Sequence, residues 1–345
     1  MVRDQPLIRP KSSLEALPAE IIQEIFLRCL EINLPRASIH LARALSNPII
    51  YTWLVKLAFA KADGDGESIH TRHFLPPHDV VGYVGGDGLK ELRTQILECR
   101  WCTLPLIRRC QLAFLQHVIQ FKRPDFKVVP DDQHHLAAFA EWFDNPKPCY
   151  TTSNGQRGDR DLVLRANRPG SEFNGSDPKR SHDYNVAVWF NPGIVEVFKA
   201  REGDPKGKIY FELPYCEGSH LPDKLLCAPW TEEKLEFFQL ISTRAFLDRD
   251  TSYDRATRTL RRLIRDRDFP IFARLLDTYV RIECYGFPII WPTNNMVFRA
   301  ALKYADEQGD PFVRLLVEER WDHIESDSAI LKEKLMKKML SWGYI

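Results

Sequence analysis

Apolar residues recur at three- and four-residue spacing along three successive stretches near the start of the chain, which predicts three amphipathic helices. Leu17-Pro18-Ala19-Glu20 opens the first, with Pro18 in the first turn, where its missing N–H is not needed. Ile21, Ile22, Ile25, Phe26 and Cys29 share one face, opposite Glu20, Gln23, Glu24 and Arg28. Asn33 and Pro35 break this helix and begin the next, whose stripe is Leu34, Ala37, Leu41, Ala44 and Leu45. Asn47-Pro48 starts the third, which places Ile49, Ile50, Trp53, Leu54 and Leu57 together as far as about Phe59.

Residues 61–88 are rich in Gly, Asp and Pro and read as a linker or long loop. Two helices follow, one from Asp87 to about Cys99 and one capped by Thr103 that runs through Phe121. Pro130-Asp131-Asp132 reads as a helix start ahead of Leu136, despite the nearby His134 and His135, because acidic residues suit that end of a helix dipole. The pattern then becomes two-residue alternation rich in Val, Ile and aromatics. Tyr184 to Phe190 and Ile194 to Lys199 predict a hairpin about Asn191-Pro192-Gly193, and Ile209 to Leu213 extends it into an antiparallel meander. From Thr231 onward the period is helical again. Phe272-Ala273-Arg274-Leu275-Leu276 returns as Phe312-Val313-Arg314-Leu315-Leu316, with Asp268 and Asp310 in the preceding turns. Such a return predicts stacked helical hairpins, which commonly present binding surfaces. The fold class expected is α+β, mostly α. It divides into an N-terminal module (1–60), the linker (61–88), helices with the meander (89–228) and a helical-hairpin region (229–345).

The 345 residues carry 48 basic and 47 acidic side chains, a formal net charge of +1, which argues against non-specific affinity for nucleic acid or an anionic membrane. Hydrophobic residues at 44% suit a packed core. Neither a secretory pattern nor a run of roughly 18 apolar residues stands out, so a cytoplasmic or nuclear protein is expected. In that compartment the eight cysteines are expected to be thiols. Cys99 and Cys102, with Cys110 and His117 on the next helix, offer four ligands for zinc, at a spacing that fits no standard finger. The plainer reading is helix packing, so no metal or other cofactor is expected. His182, Asp183 and Glu196 could supply acid–base chemistry, but no catalytic motif accompanies them. Arg258, Arg261, Arg262 and Arg265 share a helical face, read as a solvated one partnered by Asp254, Asp266 and Asp268.

The stretch from Leu14 to Phe59 resembles an F-box. Leu17, Pro18, Glu20, Ile21, Ile22, Ile25 and Phe26 match the opening of that module. Leu34-Pro35-Arg36-Ala37-Ser38 and Ala44-Leu45-Ser46 with Pro48 match phrases of the divergent F-box-like proteins of filamentous fungi. The Val-Cys-Lys/Arg-x-Trp phrase common in F-boxes is replaced here by Leu41-Ala42-Arg43-Ala44-Leu45-Ser46. The resemblance implies a non-enzymatic substrate receptor of an SCF-type ubiquitin ligase. Leu17, Pro18, Ile21, Ile22, Ile25, Phe26, Leu34 and Pro35 would then contact the small adaptor subunit and, through it, the cullin. The C-terminal hairpins, which loosely resemble degenerate ankyrin repeats without the Thr-Pro-Leu-His phrase, would hold an unknown target protein. The alternatives are an interaction scaffold with a decayed F-box and a zinc-binding protein.

Overall fold

The computed structural model describes residues 12–63, 86–122, 127–134, 162–167, 184–199, 209–306, 309–326 and 328–344. Residues 64–85, His135, the helix expected from Leu136, His182 and Asp183 lie outside them. The architecture is α+β with helices predominating. Helix α1 is Ala19–Cys29. Pro18 caps it with extended backbone, one position earlier than the sequence predicts.

The expected second helix is two. α2 (Leu34–Ala37) stops where Ser38 turns extended, with φ −159° and ψ 160°. The Ser38 hydroxyl then accepts the Leu41 N–H and starts α3 (Ile39–Leu45). A serine capping a new helix competes well with one interrupting an old one. The Asn47 side chain accepts the Ile49 N–H and opens α4 (Pro48–Phe59). Ile50, Leu54, Val55, Leu57, Ala58 and Phe59 of α4 are all buried, because α5 (Gly86–Glu98) and α6 (Leu104–Lys122) pack against it.

The chain leaving α4 is no linker at first. Lys61–Asp63 forms β1, an edge strand paired antiparallel with β6 (Ile209–Glu212). Together with β2 (Lys127–Val128), β3 (Leu162–Asn167), β4 (Tyr184–Trp189) and β5 (Ile194–Lys199) they make a six-stranded antiparallel sheet, ordered β1-β6-β5-β4-β3-β2. The β4–β5 turn depends on Gly193, at φ +69°, where a Cβ would stand 1.9 Å from the Leu213 carbonyl oxygen. The Gln111 amide, buried on α6, donates to the carbonyls of Asn191 and Leu213 and fixes this turn on the helix.

Thr231 caps α7 (Glu232–Ser242), as its sequence predicts. The helical hairpins follow: α8 (Asp254–Asp266) with α9 (Phe269–Leu276), then α10 (Asn295–Tyr304) with α11 (Pro311–Arg320), covered by α12 (Ala329–Ser341). α8 packs on α10 and α9 on α11. Asp268 and Asp310 are the caps of α9 and α11. Between the two hairpins runs a strand pair, β8 (Tyr279–Ile282) and β9 (Ile289–Ile290), which the sequence reading missed. It lengthens the interval between copies, and β7 (Phe246–Asp248) joins it in parallel to complete a three-stranded sheet. One large buried cluster runs from Ile22 to Met339 through most of these elements, and a small second one, Ala187, Trp189 and Ile194, lies on β4 and β5.

Candidate docking surfaces

The turn before α1 is built by reciprocal capping. The Ser12 N–H donates to Glu15 Oε2 at 2.7 Å, and the Glu15 N–H donates to Ser12 Oγ. A hydrogen bond from Ser38, reinforced by those at Ser12, holds the Glu15 carboxyl far below its usual range, at about 2. This ties the approach to α1 against the start of α3. The Gln23 amide donates to the Ala44 carbonyl at 2.7 Å, which ties the middle of α1 to the end of α3.

That packing divides the residues expected to meet the adaptor. Leu17 and Ile21, four residues apart, are 38% and 43% exposed, and Pro18 is exposed between them. Ile25, the next on that stripe, is half-buried, as are Leu34 and Pro35. Ile22 and Phe26 are each only 3% exposed. They face the core, so their place in the expected docking set is corrected: they hold α1 in position and present nothing to a partner. Two exposed residues were missed, Ile39 at 62% and Ile49 at 56%. Each stands in the first turn of its helix, just after a capping residue, a position that turns an apolar side chain outward.

The Cys-Arg-Trp-Cys turn is a packing joint. Trp101 stacks on Tyr51 of α4, with centroids 4.4 Å apart and planes within 4°. The Lys224 ammonium donates to the carbonyls of Cys99 and Cys102, satisfying oxygens left over at the end of α5. Burial pushes the Cys102 thiol up to about 12 and the Cys110 thiol to about 11, so neither is a ready thiolate for metal or nucleophilic chemistry. Among the described residues no three His, Cys, Asp or Glu side chains converge on a metal-sized site. Asp132, buried, clasps Arg165 of β3, accepting its backbone N–H and its guanidinium at 2.7 Å each.

At the C-terminal end, Tyr253, Ile289, Ile290, Pro292, Thr293 and His323 line a shallow cleft of about 360 Å³. Thr293 Oγ1 and His323 Nδ1 are 2.9 Å apart, but among the described residues no carboxylate holds the other imidazole nitrogen, so no relay forms. Phe287, at the bend between β8 and β9, is 65% exposed. Along α8, Arg258, Arg261 and Arg265 are exposed and Arg262 half-buried. Among the described residues, Asp266 is the one of the three expected partner carboxylates that forms an ion pair, with Arg265. Asp268 is occupied capping α9. No family model, curated protein or solved structure matches this chain. Among the described residues no helix is long and apolar enough to cross a membrane.

Proposed function

We propose that this chain is a substrate-receptor subunit of an SCF-type ubiquitin ligase, docking the small adaptor subunit through α1 to α3 and a target protein through its C-terminal hairpins. The observation that carries this is the solvent-facing stripe of Leu17, Pro18 and Ile21, continued by the half-buried Ile25, in a stretch whose sequence resembles an F-box. Apolar side chains at helical spacing and open to water suit a hydrophobic groove on a partner. Ubiquitin transfer would belong to the partner enzymes, with this chain contributing proximity. A second reading, an interaction scaffold, draws on α4, which buries six of its 12 residues and ties the N-terminal helices into the common core.

A pull-down with the purified small adaptor separates the two. Leu17→Glu with Ile21→Glu should weaken binding about a hundredfold or more, since two anchor residues are removed. Its thermal unfolding should match that of the parent chain, because both side chains are exposed. Absence of binding by the parent chain would leave the scaffold reading.

A further inference from the structure

We infer that the joint outer face of α8 and α10 is a docking surface for an acidic segment of another protein. This inference is independent of the adaptor reading. The two helices lie parallel and in register. The Asn294 amide donates to Thr257 Oγ1 at one end, and the Arg267 guanidinium donates to the Tyr304 carbonyl at the other, residues 37 apart in both ties. The same offset sets Arg262 level with Arg299. Apart from Arg255, which is paired with Asp223, the exposed or half-buried cations are Arg258, Arg261, Arg262 and Arg265 on one helix and Arg299 and Lys303 on its neighbour.

Among the described residues the only ion pair made by this patch is that of Arg265 with Asp266, whose carboxylate also feels Arg262. α10 contains no acidic residue, and α8 has none between its first and last positions. Arg258, Arg261, Arg262 and Arg299 form no hydrogen bond or ion pair among the described residues. Single exposed helical arginines are matched in places, as Arg28 is by Glu24 and Arg314 by Glu318, or stand alone, as Arg43 and Arg109 do; what sets this face apart is that several unpaired ones lie together. Like charges three and four residues apart disfavour a helix, so an unmatched row carries a cost with no folding benefit. A partner's carboxylates would remove that cost, and five of the six cations are arginines, whose forks grip carboxylates in two-point fashion.

The dimensions favour a peptide over nucleic acid. Arg258 to Arg265 spans about 10 Å of helix, the length of about three extended residues. That is short for the several phosphate contacts of a duplex-binding protein. Met296 at 49% exposure and Tyr304 at 37% flank the cations at opposite ends of α10, giving apolar anchors on either side of an acidic run.

The test is fluorescence anisotropy of the full chain with a labelled peptide carrying a run of glutamates flanked by leucines. Binding should weaken as salt rises. Arg261→Glu with Arg299→Glu should reduce affinity about tenfold or more. The milder Arg261→Ala with Arg299→Ala should reduce it less, and guards against misfolding of the charge-reversed form. Arg43→Glu with Arg249→Glu, at exposed arginines elsewhere, should change nothing. Equal losses from that control, or no loss from reversal at Arg261 and Arg299, would overturn the inference. So would tighter binding of a single-stranded oligonucleotide to the same face.

Discussion

The two ends of this chain solve the problem of a helical surface in opposite ways. In α1 to α3, short helices bury Ile22, Phe26, Leu41 and Leu45 and leave Leu17, Ile21 and Ile39 in water. In α8, Ala256, Leu260, Leu263 and Ile264 are all inside, and the outer row is arginine. Packing makes the difference. α1, of 11 residues, packs on α3 and buries Ile22 and Phe26, leaving Ile21 outside, and the seven-residue α3 leaves its first-turn Ile39 outside as well. α8, of 13 residues, sorts its side chains over more than three turns. The N-terminal surface is therefore apolar and should be salt-insensitive, while the C-terminal one is cationic and should respond to salt.

The sharpest way to break that comparison is to remove the apolar side chains one at a time. Phe312, fully buried and edge-on to Phe269 and Phe272, should cost about 3–5 kcal/mol as Phe312→Ala. Phe26→Ala, at the other end, should cost a similar amount, since it is equally internal. Ile39→Ala and Ile21→Ala should stay within about 0.5 kcal/mol. Denaturant unfolding measures all four. A large loss at Ile39 or Ile21 would mean that these residues are core, and the N-terminal surface would lose its docking stripe.

Reading this division from sequence is harder than reading the helices themselves. Ile21 and Ile22 are adjacent, about 100° apart around α1, and both fit the apolar arc. Only the packing of α1 alongside α3 assigns one to solvent and the other to the core. Ser38 sits inside a run with unbroken helical period, so its role as a cap is invisible until the backbone turns extended. Lys61–Asp63 contains no β-branched residue and pairs with a strand about 150 residues later, so nothing local marks it. What did carry through is local chemistry: Thr231 as a cap, the Asn191-Pro192-Gly193 turn, and the twin Phe-x-x-Leu-Leu helices with their aspartates. The resemblance to an F-box located Leu17 and Ile21, but not the basic face. The arginine row of α8 was legible as a helical face, but its extension by Arg299 and Lys303 depends on α10 lying beside α8, which no local pattern marks.

A smaller effect sharpens the contrast in how the helices are started. Asp310 is fully buried, accepts the Val313 N–H at 2.9 Å and is ion-paired with Arg267 at 2.6 Å. Arg267 also reaches Asp306 and lies over the Phe312 ring. Asp310→Ala should cost about 2–4 kcal/mol, a cap together with a charge-assisted bond. Asn47→Ala removes a neutral, half-buried cap from α4 and should cost about 1 kcal/mol. Equal losses would show that the buried ion pair adds nothing beyond capping.

The smallest expected effect separates the two ends by pH. In the C-terminal half, burial lowers the pKa of His220, and burial with the nearby Arg320 lowers that of His323, both from 6.5. Below that value the unfolded chain takes up protons that the folded one resists. Stability should therefore fall as pH drops through 6.5 and level off once it is below the folded pKa values. At the N-terminus Glu15 behaves as a depressed acid: its contribution is complete above 4.5 and is lost as pH falls toward about 2. Melting temperature against pH should show both declines. His220→Gln with His323→Gln should flatten the upper one and leave the lower, and Glu15→Gln should do the reverse. If the histidine variant keeps the upper slope, the C-terminal half is not its source, and the two ends cannot be told apart by acid.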